Sequence, residues 1–184
     1  MAAPLILLLA SLAGILAALV LPDFSDLLLL AAPAALASLF LLLRARRAAP
    51  RTQARIVVDG SNVMHWNEGS AELAPLREVL DHLRARGFRP AVIFDANAGY
   101  KLAGRYLHDA ALSRQLGLPE DQVLVVPKGT PADPWILTAA RDMGARIVTN
   151  DRFRDWAETY PEVTQPGHLI RGGFTAGQLW LDQP

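Results

Sequence analysis

The chain contains no cysteine. Disulfides, thiolate catalysis and cysteine-ligated zinc are therefore all excluded. Its four histidines, His65, His82, His108 and His168, fall at no spacing that suits metal ligation, and Ser61 has no evident histidine partner. His82 reads as a helix-face residue. Net positive charge is missing too: 18 basic side chains balance 18 acidic ones, and residues 52–184 hold 14 against 16, a net of −2. No global basic field announces a nucleic acid. Charge of either sign is scarcest at the N-terminus. Residues 1–43 carry no Lys or Arg and only two acids, Asp23 and Asp26.

What fills that stretch is apolar. "APLILLLASLAGILAALVL" (3–21) and "LLLLAAPAALASLFLLL" (27–43) are both uncharged. Each is long enough, the second barely so, to cross a hydrocarbon core of ~30 Å as a helix. "PDFSD" between them is a tight polar turn, and "RARRAAPR" follows with Arg44, Arg46, Arg47 and Arg51. Such a cluster stays in the cytoplasm, which returns the N-terminus to the same side. A signal peptide over 1–21 is the rival; it lacks a basic start, and a second span follows. Pro33 is tolerable in a lipid-embedded helix. The small residues of "AGILA" could pack helix on helix. The expectation is a transmembrane hairpin over 1–43 that contacts the lipid bilayer through residues 3–43 and carries no polar group for transport. A basic linker follows over 44–54, and residues 55–184 form a single catalytic domain at the cytoplasmic face of the inner membrane. A homodimer remains open.

Beyond the linker, strand and helix patterns alternate. Strands are expected at 55–59, 89–95, 122–126 and 145–151, with a last short one in "HLIRGGF". Helices are expected at 71–87, where Leu73, Leu76, Leu80 and Leu83 repeat at helical spacing, at 101–117 and at 131–144, each closed by glycine. "RFRDWAETY" reads as a further short helix. Strands separated by helices of this length argue for an α/β fold with a central, mainly parallel sheet. In such sheets ligands bind where the C-terminal ends of the strands open into a crevice.

Acids collect at those ends. Asp59 ends the first strand, Asp95 the second and Asp151 the fourth; Asp133 opens the third long helix, and Asp155 follows Asp151 by one turn. Any one of them alone is as readily a turn former or helix cap. Gathered at one rim they repel, and a divalent cation that favours oxygen ligands, Mg²⁺ or Mn²⁺, relieves the conflict. A cation so held suits phosphodiester hydrolysis by water. In "VVDGSNV", Gly60 is expected to let the backbone turn, Ser61 to cap the turn or bond Asp151, and the neutral Asn62 to orient a water or a phosphate.

"VVDGSNV" (57–63), Asp133 in "PADPWILTAA" and "VTNDRFRD" (148–155) together resemble the NYN/PIN-like ribonucleases, nearest to the regnase (MCPIP) type, over residues 55–175. The resemblance implies a PIN-like three-layer fold and Mg²⁺-dependent endonuclease activity on RNA. It also implies a site of Asp59, Asn62, Asp133, Asp151 and Asp155, with the metal on Asp59, Asp133 and Asp151. Two departures stand out. That type carries two adjacent acids where this chain has Asp133 between Ala132 and Pro134, and its zinc finger is absent. Asp95 has no counterpart there and ranks last among the acids.

For the RNA, Lys128 and Arg152 are the foremost phosphate contacts, followed by Lys101, Arg105, Arg154 and Arg171. Tyr100 or Trp66 could stack a base, and Trp135 is expected in the core. Two other functions compete. One is a weakly active or inactive module of the same fold that binds RNA or a protein partner at the membrane. The other is a phosphatase of the haloacid dehalogenase type, which wants a second Asp where Ser61 stands. Nothing in the sequence separates RNA from DNA.

Overall fold

The computed structural model describes residues 2–21, 24–48, 53–67 and 70–183. The chain divides into two compact units, Met1–Thr52 and Gln53–Pro184.

The first unit is a pair of helices, α1 (Ala2–Val20) and α2 (Leu27–Ala48), packed on one another. Both are long and apolar enough to cross a membrane. The residues buried between them are small: Ser11, Ala18, Ala31 and Ser38. Gly14 lies so near the partner helix that a Cβ there would stand 3.4 Å from Ala31 Cβ. Small side chains let two backbones approach, which is how helices associate without a hydrophobic drive. The leucines face outward, with Leu19, Leu29 and Leu36 each at least 70% exposed. Helix α2 continues through Arg44 to Ala48, so the basic stretch expected to be linker begins as helix. Residues 49–52, with Arg51, lie outside the described residues.

The second unit is built on a five-stranded sheet in the order β3-β2-β1-β4-β5, every neighbouring pair parallel. The strands are β1 (Ala54–Asp59), β2 (Phe88–Phe94), β3 (Val123–Val125), β4 (Arg146–Val148) and β5 (Leu169–Ile170). Alternation along β1 splits the core. Ile56 and Val58 join Val92 and Phe94 on one face, under Leu76, Val79, Leu80 and Leu83 of α4 (Leu73–Ala85). Val57, Ile93 and Ile147 face the other way, under Ile136, Leu137 and Ala140 of α7 (Asp133–Met143). The result is the expected three-layer PIN-like arrangement. A short helix α3 (Gly60–Val63) follows β1 directly, and an antiparallel pair, β6 (Gly172–Thr175) and β7 (Gln178–Leu181), ends the chain.

Two helices differ from expectation. The single helix expected over 101–117 is two, α5 (Ala98–Ala103) and α6 (Asp109–Leu116). Gly104 takes a left-handed φ of 67°, which ends α5. Asp109 then turns its carboxylate to the backbone N–H of Val125, 2.7 Å away, starting α6 afresh against β3. "RFRDWAETY" forms only one 3₁₀ turn, Arg154–Trp156. Its entry residue Phe153 is buried with a left-handed φ of 48°, so no helix runs through it from Arg152.

Candidate active site

The strand order places a topological switch point between β1 and β4, since the chain runs outward from β1 through β2 to β3 and then returns to β1's other side. A crevice opens at the C-terminal ends of two such strands. Asp59 stands at the end of β1, and Thr149–Asp151 just past the end of β4.

Asp59 is 7% exposed. Its Oδ1 accepts from the backbone N–H of Asn62 at 3.0 Å, capping α3, and its Oδ2 accepts from the hydroxyl of Thr149 at 3.0 Å. Burial pushes its carboxyl up to about 7 against the relief of those two bonds, and the negative charges of Asp95 and Asp133 push the same way. A carboxylate desolvated this far is costly in the charged form.

Asp133, half-buried at the first position of α7, is raised above the usual carboxylate range, first by burial and then by Asp151, Asp95 and Asp155. The indole N–H of Trp156 donates to its Oδ2 at 3.1 Å and opposes the rise. Asp151 is exposed; its Oδ1 accepts from the backbone N–H of Phe153 at 2.8 Å, forming a local Asx turn. Its own N–H donates to Thr149 Oγ1 at 3.1 Å. One buried hydroxyl thus joins Asp59 to the chain of Asp151. Asp155 is exposed and shares an open groove with Asn62, Asn150, Asp151, Arg152 and Arg154.

Several expectations are corrected here. Ser61 does not bond Asp151; its Oγ accepts from the backbone N–H of Asp95 at 2.7 Å. Asp95 is thereby pinned beside the loop after β1, and its charge helps to raise the carboxyls of both Asp59 and Asp133. Gly60 is required by space: a Cβ there would stand 2.6 Å from the ring of fully buried Phe94. Asn62 is held through its oxygen, which accepts from Trp66 Nε1 at 2.8 Å and from the backbone N–H of Asn150 at 3.0 Å. Its NH₂ group has no partner among the described residues. Trp66 donates its Nε1–H to that oxygen and is half-buried against the core. Trp135 is 43% exposed and not in the core.

Of the expected basic contacts, Arg152 and Arg154 line the groove beside the acids. Lys101, on α5, reaches to 3.5 Å from His65 Nε2. Lys128 lies exposed in the turn after β3, and Arg105 and Arg171 are exposed on other loops. Sequence reasoning missed Thr149, Trp156 and Asn150. The carboxamide of Asn150 bonds both backbone groups of Gly172, donating to its O at 2.8 Å and accepting from its N at 3.2 Å.

Among the described residues, no three His, Asp or Glu side chains already stand close enough to enclose a metal ion. The donor set is nonetheless entirely oxygen, and its charges oppose one another. That chemistry fits a hard divalent cation which keeps several of its waters and takes only a few carboxylates directly.

The architecture is that of the PIN-like nucleases. The chain belongs to the Zc3h12a-like ribonuclease NYN domain family, which residues 52–174 match. Its fold is similar to two solved structures of the nuclear protein-only RNase P 2 (PRORP2) of Arabidopsis thaliana. They match with TM-scores of 0.50 and 0.55 at 21% and 23% identity, each over 79% of this chain. The chain spans about a third of their length, 32% and 33%. No curated protein matches it.

Proposed function

We propose that this is a membrane-anchored, divalent-cation-dependent endoribonuclease whose domain lies in the cytoplasm at the inner membrane. The observation that supports it best is Asp59. It is a carboxylate buried at the switch point of a ribonuclease-family domain, held in place by Thr149 and Asn62 and opposed by the charges of Asp95 and Asp133. Asp59, Asp133 and Asp151 would hold Mg²⁺ or Mn²⁺. When bound, the cation supplies a Lewis acid that offsets charge on the phosphoryl oxygens and favours water as the nucleophile. Asn62 donates its free NH₂ to a phosphate oxygen, because its own oxygen is already engaged. Arg152 and Arg154 neutralise the flanking phosphates in the groove. Asp155, exposed in the groove beside Asp151 with no hydrogen-bond partner among the described residues, accepts the one proton the water releases and passes it to solvent.

The anchor is the α1–α2 hairpin. Arg44, Arg46 and Arg47 in the last turns of its second helix, with Arg51 further along the sequence, hold that end on the cytoplasmic side.

A single acid at Asp133, followed by Pro134, favours a second reading: a module that binds RNA at the membrane without cleaving it. Cleavage of single-stranded RNA by the full chain, with Mg²⁺ or Mn²⁺ titrated against a chelator, decides between them. Wild type should cleave only with the cation, and Asp59→Asn should not cleave. Equal cleavage by both proteins would remove the nuclease reading; RNA bound and left intact by both would establish the second.

A further inference from the structure

Between β2 and α6 lies a segment whose ends are buried and whose middle is not. Ala98 and Leu107 belong to the core, and Gly99 is buried beside Ala98. Gly99 has no space for a side chain: a Cβ there would collide with the backbone N of Leu107 and would lie 2.7 Å from the carbonyl O of Arg105. The backbone on both sides of Tyr106 is therefore folded hard against the residue that precedes Tyr100. Within this clasp Tyr100 is 53% exposed and Tyr106 49%, with Lys101 and Arg105 exposed beside them. Both rings thus stand about half in water on a tightly pinned segment.

The clasp also adjoins the acids. The N–H of Ala98 bonds the carbonyl of Asp95 at 3.0 Å, and the N–H of His65, whose ring Lys101 approaches, bonds the carbonyl of Asn62 at 3.1 Å. It stands on the β2 side of β1, whereas Arg152 and Arg154 follow β4 on the other side.

We infer that Tyr100 and Tyr106 form a stacking platform for unpaired bases of the RNA, with Lys101 and Arg105 on the adjoining phosphates, on the β2 side of the bond that is cut. The inference rests on the nuclease reading and deepens it. Exposed aromatics interleaved with cations bind single strands because every unpaired base offers a π-face, whereas the bases of a duplex are already stacked.

The test is fluorescence anisotropy of a short labelled single-stranded RNA, and of its duplex, with full-length protein in detergent carrying Asp59→Asn to prevent cleavage. Tyr100→Ala and Tyr106→Ala should each weaken single-strand binding about tenfold. Tyr→Phe at both positions should retain it, and duplex binding should not change. Equal loss on both RNAs, no loss on either, or failure of the Phe pair to retain binding overturns the platform. So does loss of binding to anionic lipid vesicles with RNA affinity intact, since the surface would then face lipid. The two readings fail separately. If the Ala variants bind RNA normally while Asp59→Asn abolishes cleavage, only the platform falls. If Asp59→Asn cleaves like wild type, the site built on Asp59 falls, and the platform stands or falls on the binding data alone.

Discussion

Replacing Asp59 with asparagine should make the metal-free domain more stable at pH 8 while removing its activity. Burial raises the carboxyl from 3.8 to about 7. Below pH 4 the group is protonated in both folded and unfolded chains, and its burial carries no electrostatic penalty. As pH rises from 4 toward 7 the unfolded chain releases this proton first, so folded stability falls; above 7 the penalty is complete. At 1.36 kcal/mol per unit, a shift of about three units is worth about 4 kcal/mol. Asparagine avoids that penalty. It still accepts from the N–H of Asn62, but it leaves the Thr149 hydroxyl hydrogen to find another acceptor, at about 1 kcal/mol. The variant should therefore be about 3 kcal/mol more stable than wild type at pH 8 and slightly less stable at pH 4. Urea unfolding of residues 53–184, a compact unit by themselves, in chelator across that range measures both. A stability difference that does not change with pH would refute the reasoning, because it would mean that Asp59 is not held charged against burial. Added Mg²⁺ or Mn²⁺ should stabilise the wild type and leave the variant largely unmoved.

Gly60→Ala drives a methyl group into the ring of Phe94 and should cost about 1–3 kcal/mol in urea unfolding; a neutral result would show that Phe94 can move. Trp156→Phe preserves packing against the core but deletes the bond to Asp133 Oδ2. We expect kcat to fall with the KM for RNA near its wild-type value, and half-saturation by Mn²⁺ to shift upward; a change in KM alone would assign Trp156 to substrate binding.

The layered fold was legible because its signals are local. Ile56, Val57 and Val58 alternate between two cores, as a parallel strand covered on both faces must, and Leu76, Leu80 and Leu83 mark one side of α4. The acids at strand ends were legible for the same reason: a charge after an apolar run needs a wet edge. What held those acids was not. Ser61 meets Asp95 across 34 residues and Thr149 meets Asp59 across 90, and a short-range pattern carries no record of such pairings. Trp156 read as part of a helix and Gly60 as a turn, because the partner of each, Asp133 or Phe94, comes from another element. The break at Gly104 was missed because helix-forming residues lie on both sides, and what separates α5 from α6 is the left-handed turn there together with the tertiary anchoring of Ala98, Leu107 and Asp109.

Asn150 grips Gly172, and Gly172 belongs to a strand that is paired only once Leu181 has been added. The rim that carries Asp151 is consequently tied to the β6–β7 hairpin, and any loosening of that pair frees Asn150 along with it.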